Sequence, residues 1–342
     1  SPSETVQIRT DRLLGFVTRQ GSPYSHTAIL AKTMNVPALM HIAIDEAWDG
    51  HLAILDGAKQ CVYLDPEPEL VEKYRALQES RKQERQQLLT LKGLPTVTSG
   101  GQRVKLYANV NAPSDVTSAI AQDAEGIGLF RSEFLYLNTQ EYPDEERQYQ
   151  IYCRVLEQMQ GRPVTIRTLD LGADKKSPYL ALEPEENPAL GYRAIRICLT
   201  QPEIFRVQLR ALLRASHHGQ LHILFPMITS LWEIQKIKEL LDECKKELAT
   251  ENIPCGKPIL GIMIETPAAV MVAPELAKEV SFFSIGTNDL AQYTLALDRN
   301  NARLHPFYDA HHPALLRMLH MTVQAAQKEN IPVCVCGEAA SD

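Results

Sequence analysis

Residues 221–264 read LHILFPMITSLWEIQKIKELLDECKKELATENIPCGKPILGIMI. An apolar run (221–228) is followed by an amphipathic stretch (231–248) and a second apolar run (259–264). Short continuous apolar runs suit strands buried on both faces, and the charged stretch between them has helical spacing. Strand, helix, strand is the repeating unit of a parallel sheet. The unit recurs in both directions. VKLYANV (104–110), GIGLF (126–130) and VTIRTL (164–169) precede it, and VSFFSIG (280–286) and PVCVC (332–336) follow. Seven such units fit a doubly wound α/β sheet or an incomplete eight-stranded barrel. The expectation is a (β/α)8-type barrel lacking its last unit. Its polar residues of interest all follow strands, the face on which barrels build sites. A doubly wound sheet shares that property.

Upstream of the repeat the character changes. Residues 1–65 alternate short apolar runs with turns, which suits a small α/β unit. PEPELVEKYRALQESRKQERQQLLTLKG (66–93) carries Leu70, Tyr74, Leu77, Leu88 and Leu91 at helical spacing among charges. It reads as one exposed helix that breaks at Gly93 and Pro95. The expected division is therefore 1–65, a helical linker over 66–103, and the barrel over 104–342.

Composition narrows the function classes. Hydrophobic residues make up 44% and charged residues 23%, which suits a globular chain with a large core. The net charge of −7 gives no reason to expect nucleic acid or an anionic membrane as partner. No apolar run approaches the ~20 residues of a membrane span, and the first residues lack the pattern of a signal peptide. The seven scattered cysteines fit a reducing cytoplasm better than a disulfide framework.

The strand ends carry the chemistry. Arg131 follows GIGLF, Arg167 and Asp170 close VTIRTLD, and Glu265 follows ILGIMI. Asn288 and Asp289 follow VSFFSIG, Arg299 lies in TLALDRNN, and Cys336 closes PVCVC. Guanidinium groups match phosphate and carboxylate oxygens, so the arginines point to an anionic ligand, with surface ion pairs as the alternative. Glu265 and Asp289 suit either Mg²⁺ completed by substrate oxygens or salt bridges to the same arginines. Cys336 suits a proton donor, a small buried hydrophobe, or a CxC pair with Cys334. His26 lies in GSPYSHTAILAKTMNVP, where Ser25 is a good N-cap and Pro37 a stop. An anion held on this imidazole would meet a helix N-terminus, and neutral imidazole is a competent nucleophile. A polar residue in a surface turn is the plainer reading.

The strings SPYSHTAILA, GIGLFRSEFLYL, IRTLDLGADK, ENPALGYRAIRI, IETPAAV, FFSIGTNDLAQYTLALDRNN and CGEAASD occur in this order. Together they closely resemble enzyme I of the phosphoenolpyruvate-dependent sugar phosphotransferase system, over essentially the whole chain. The resemblance implies a cytoplasmic phosphoenolpyruvate-protein phosphotransferase that phosphorylates His26 and releases pyruvate. It makes His26 the phosphorylated histidine of a swivelling domain, of which residues 1–65 are the C-terminal part. It implies that Arg131, Arg167 and Arg299 hold phosphoenolpyruvate with Asn288 and Asp289 beside them, and that Glu265 and Asp289 bind Mg²⁺. It gives Cys336 the role of protonating the enolate, and places Lys175 and Arg193 near the phosphate. A histidine phosphocarrier protein is the implied partner, and the intact protein is expected to dimerise. Family members extend further at both ends, so the chain is expected to be a fragment. Ser132 stands where the family more often has Thr. Pyruvate phosphate dikinase and phosphoenolpyruvate synthase share the histidine and the barrel and are the nearest rivals. A non-catalytic module that senses phosphoenolpyruvate is the rival of another class.

Overall fold

A computed structural model of the chain describes residues 13–19, 36–137, 139, 141–172, 183–299 and 301–341. The chain divides into two units, Ser1–Lys92 and Gly93–Asp342. His26 and Lys175 lie outside the described residues.

In the first unit, β1 (Phe16–Val17) runs parallel to β2 (Ala38–Leu39), and β3 (Ala53–Asp56) pairs antiparallel with β4 (Cys61–Leu64). The helix Pro68–Leu89 follows and buries no residue, as its run of charges requires. Its Tyr74 hydroxyl donates to Asp56 of the hairpin at 2.5 Å.

The second unit contains all seven strands read from the sequence. They are β5 (Ala108–Val110), β6 (Ile127–Arg131), β7 (Val164–Arg167), β8 (Leu221–Phe225), β9 (Ile259–Ile264), β10 (Phe282–Gly286) and β11 (Val333–Cys336). Every pairing is parallel and the spatial order is the chain order. A doubly wound sheet reverses its order at a switch point; this one winds a single way. β11 also comes back beside β6, so the sheet curls nearly closed. β5 is shorter than expected, because Val104 and Leu106 are exposed and stay outside the ladder.

Alternation along the strands sorts the core into two layers. Ile166, Ile223, Phe225, Ile262, Ile264, Phe283 and Ile285 pack outward against the helices. Leu129, Leu224, Met263, Phe282 and Cys336 form a separate inner cluster. Five strands can bring these side chains together only if the sheet wraps around them. Helix Leu231–Thr250 shows how the outer layer is covered. It buries Ile234, Ile237, Leu241, Cys244 and Leu248, spaced by three and four residues. Its start is fixed by Glu233, whose carboxylate accepts from the backbone N–H groups of Thr229 and Ser230. No helix among the described residues is long and apolar enough to cross a membrane.

Candidate active site

Side chains two residues apart in a strand share a face. The parity that points Leu129, Met263 and Cys336 inward therefore also sends Arg131 and Glu265 to the inner side at the carboxyl ends of the strands. There they line a cavity of about 960 Å³. Asn111, Arg131, Arg167, Glu265, Asp289 and Cys336 reach it from six different strand ends, and Asn288, Arg193 and Arg299 complete its wall. Every described residue expected at the site is thus brought together.

Arg167 is buried and already engaged. Its Nη2 lies 2.7 Å from Glu133 Oε1 and its Nη1 lies 2.9 Å from Asp170 Oδ2. A buried guanidinium needs such partners to offset its lost hydration. Its Nε is buried and makes no hydrogen bond. Asp170 also accepts from Arg193 Nη2 at 2.8 Å, which fixes the two guanidinium groups relative to each other. Arg131 and Arg299 are looser. Arg131 donates to Asn111 Oδ1 at 3.2 Å, and Arg299 Nη1 lies 3.5 Å from Asp289 Oδ1. The ion-pair and ligand readings of these arginines are therefore not exclusive: the inner pair is locked by carboxylates, and the outer pair keeps donors to spare.

Glu265 and Asp289 are the notable carboxyl groups. Glu265 Oε1 accepts from the Met227 N–H at 2.6 Å, while Oε2 has no partner. Met227 takes a φ of 58° to present that N–H, a conformation that costs a non-glycine residue energy. Burial raises the Glu265 carboxyl to about 8, and the neighbouring Asp289 and Asp170 carboxylates push the same way. Asp289 Oδ1 is buried and makes no hydrogen bond. Glu265 Oε2 has no partner, Asp289 Oδ1 has only the longer ion-pair contacts of Arg193 and Arg299, and the two groups are close enough to repel, which suits a bound cation. Among the described residues no cluster of three or more His, Cys, Asp or Glu side chains forms a complete protein cage. A cation here would need oxygens from a ligand or water, the habit of Mg²⁺.

Glycines make room for this arrangement. A Cβ on Gly286 would lie 2.8 Å from Glu265 Oε2. Gly337 has a φ of +99°, and a Cβ there would meet Thr287 Oγ1 at 2.5 Å. Just beyond it, the Glu338 N–H donates to Asn288 Oδ1 at 3.0 Å, so the amide NH₂ of Asn288 is its remaining donor.

The Cys336 thiol is buried, 3.4 Å from the Ile285 carbonyl oxygen and 3.3 Å from Ser284 Oγ. Burial pushes it up to about 11, so it holds its proton at neutral pH. Cys334 and Cys336 are both free thiols.

Several residues escaped sequence reasoning. Glu133 lies two residues beyond Arg131, and that parity was the available signal. Tyr293 stands one helical turn after Asp289 and lines the same cavity. Gln208 is buried and gave no signal. Its Nε2 donates to Ser132 Oγ and Tyr152, and its Oε1 accepts from the Leu169 N–H, which anchors the chain as it leaves β7.

Residues 85–342 match the PEP-binding domain of PEP-utilising enzymes, and residues 1–60 match their mobile domain. The chain is 46% identical over 348 residues to a phosphoenolpyruvate-protein phosphotransferase of Geobacillus stearothermophilus. It is 44% identical over 345 residues to that of Staphylococcus carnosus (strain TM300), and 43% identical over 345 residues to that of Bacillus subtilis (strain 168). Each alignment covers 100% of this chain and 60% of the relative, so the chain spans well under two thirds of the length of these relatives.

Proposed function

Since the chain belongs to the PEP-utilising enzyme family, we propose that the intact protein is a phosphoenolpyruvate-protein phosphotransferase that phosphorylates its own His26 and releases pyruvate. The observation that carries this reading is the shared cavity. It holds four arginines, three carboxyl groups (Glu133, Glu265 and Asp289) that each keep an oxygen without a hydrogen bond, and a protonated thiol. A phosphoryl donor that leaves as a carbanion equivalent needs all three.

Arg131 and Arg299 bind the anionic oxygens of phosphoenolpyruvate, and Arg167 adds its positive charge to the same cavity. Asn288 offers its amide NH₂ beside them. Six carboxylates (Glu133, Asp170, Glu186, Glu265, Asp289 and Asp298) line the same space as the four arginines. A polyanionic substrate therefore needs further positive charge, and Glu265 with Asp289 fits Mg²⁺. When bound, Mg²⁺ would offset charge on the transferring phosphoryl group. The bond from phosphorus to the enol oxygen breaks as a bond from phosphorus to the His26 imidazole forms. The resulting enolate takes the Cys336 proton at its methylene carbon and becomes pyruvate, leaving a thiolate that regains its proton from water. A thiol held near 11 is a weak acid in isolation but adequate toward a strongly basic carbon.

The reading extends to onward transfer from His26 to a histidine phosphocarrier protein in sugar uptake, and to a cytoplasmic homodimer of the intact protein. Residues 1–65, 66–103 and 104–342 then serve as the C-terminal part of the swivelling histidine domain, the helical linker and the incomplete substrate barrel. The test is phosphoenolpyruvate labelled at phosphorus, supplied with Mg²⁺ to the intact protein. Label should appear on the protein, with pyruvate released in equal amount, and should vanish in His26→Ala. Tight binding without label transfer or pyruvate would overturn the proposal.

A further inference from the structure

Tyr293 lies on helix Thr287–Leu295, four residues after Asp289, so the two side chains share one face of the helix. Its hydroxyl donates to the Ala189 carbonyl oxygen at 2.5 Å and accepts from Arg193 Nη1 at 3.4 Å. A phenol can do both at once, because it carries one donor hydrogen and acceptor lone pairs. Ala189 sits in the segment 186–190, which forms one wall of the cavity. Other bonds hold that segment from its own side. Arg196 donates to the Leu190 and Gly191 carbonyls at 2.8 Å, and Glu185 accepts from the Tyr192 N–H at 2.9 Å. Those bonds stay within residues 185–196. Tyr293 ties the wall to the helix that carries Asp289.

The bond to Arg193 matters equally. Arg193 pairs with Asp170 at 2.8 Å and approaches Asp289 Oδ1 at 3.8 Å. One hydroxyl thus meets the wall and an arginine that is itself shared between two cavity carboxylates. We propose that Tyr293 is a positioning residue for the anionic substrate, acting through Arg193 and the 186–190 wall. The proposal rests on the phosphotransferase reading. Tyr293 itself exchanges no proton or bond with the reacting atoms.

The wall and the guanidinium act on bound substrate and transition state alike, so the loss should fall on binding. In the intact protein, Tyr293→Phe keeps the ring and removes only the hydroxyl. KM for phosphoenolpyruvate should rise by about tenfold, the size expected for one hydrogen bond to a charged group, with a much smaller change in kcat. Arg193→Lys supplies the second arm, because lysine cannot reproduce the planar fork. In that background Tyr293→Phe should raise KM by less than about twofold, as coupled residues do not add. An unchanged KM in Tyr293→Phe, a loss confined to kcat, or full additivity with Arg193→Lys would overturn the assignment. Wild-type protein that turns over no phosphoenolpyruvate would instead sink the underlying reading. Wild-type turnover with an indifferent Tyr293→Phe would sink only the role of Tyr293.

Discussion

Arg167 and Glu133 form a buried ion pair, 2.7 Å between Nη2 and Oε1, with side chains only 10% and 6% exposed. Glu133 follows β6 and Arg167 ends β7, so the pair clamps two neighbouring strand ends at the cavity. Breaking such a pair strands a charge in a dry environment. Glu133→Ala is expected to cost about 3 kcal/mol of stability, the low end of the range because Asp170 still holds the guanidinium. Urea unfolding measures it, and a cost below about 1 kcal/mol, typical of an exposed pair, would show that the clamp is solvated.

Cys336 gives a prediction that separates chemistry from binding. Cys336→Ala should slow pyruvate release by at least about a hundredfold, the usual contribution of a positioned general acid. Phosphoenolpyruvate affinity should hardly move. Equal losses in rate and affinity would remove the thiol from the proton-transfer role. The pH dependence follows from the same group. Burial keeps the thiol neutral, so alkylation by iodoacetamide should be slow at pH 8 and accelerate as pH approaches about 11. Rapid modification at pH 7 would mean that the thiol is ionised.

Gly286 tests the cation reading without replacing a carboxylate. Its substitution by alanine places a methyl group 2.8 Å from Glu265 Oε2. The carboxylate must shift, and a hard cation tolerates displaced ligands poorly. Gly286→Ala should raise the Mg²⁺ concentration needed for half-maximal phosphorylation by about tenfold or more, in line with the cost of disturbing an outer support of a metal site. An unaltered Mg²⁺ requirement would place the cation elsewhere.

The outer core supplies a control that the site should not feel directly. Ile223 is fully buried in β8 between sheet and helices. Ile223→Ala should cost about 2–5 kcal/mol. A cost under about 1 kcal/mol would contradict that packing.

The architecture was largely legible because its signals are local. Each strand is a short apolar run, and each covering helix repeats its apolar residues within two turns, as Ile234 to Leu248 do. The gathering of Arg131, Glu265 and Cys336 was legible too, since strand ends of a parallel sheet face one way. The partners of those residues were not. Glu133 meets Arg167 across 34 positions, and Arg193 meets Asp170 across 23. Such pairings depend on which strands are neighbours and how steeply they twist, which no window of sequence records. Gln208 is the extreme case. A glutamine in an amphipathic helix looks like a solvated residue, yet here it bonds to three separate segments.

The alternation of inner and outer residues also sets how this barrel can tolerate change in length. In β7, Ile166 packs outward while Arg167 opens on the cavity. One extra residue early in that strand would exchange them, placing a guanidinium among the helices and an isoleucine against the ligand. Two extra residues would restore the faces but lift the arginine by a full pleat repeat. The strands therefore behave like a reading frame for side chains. Insertions can be absorbed in the loops at the amino ends of the strands, whereas between those loops and the cavity every residue is counted.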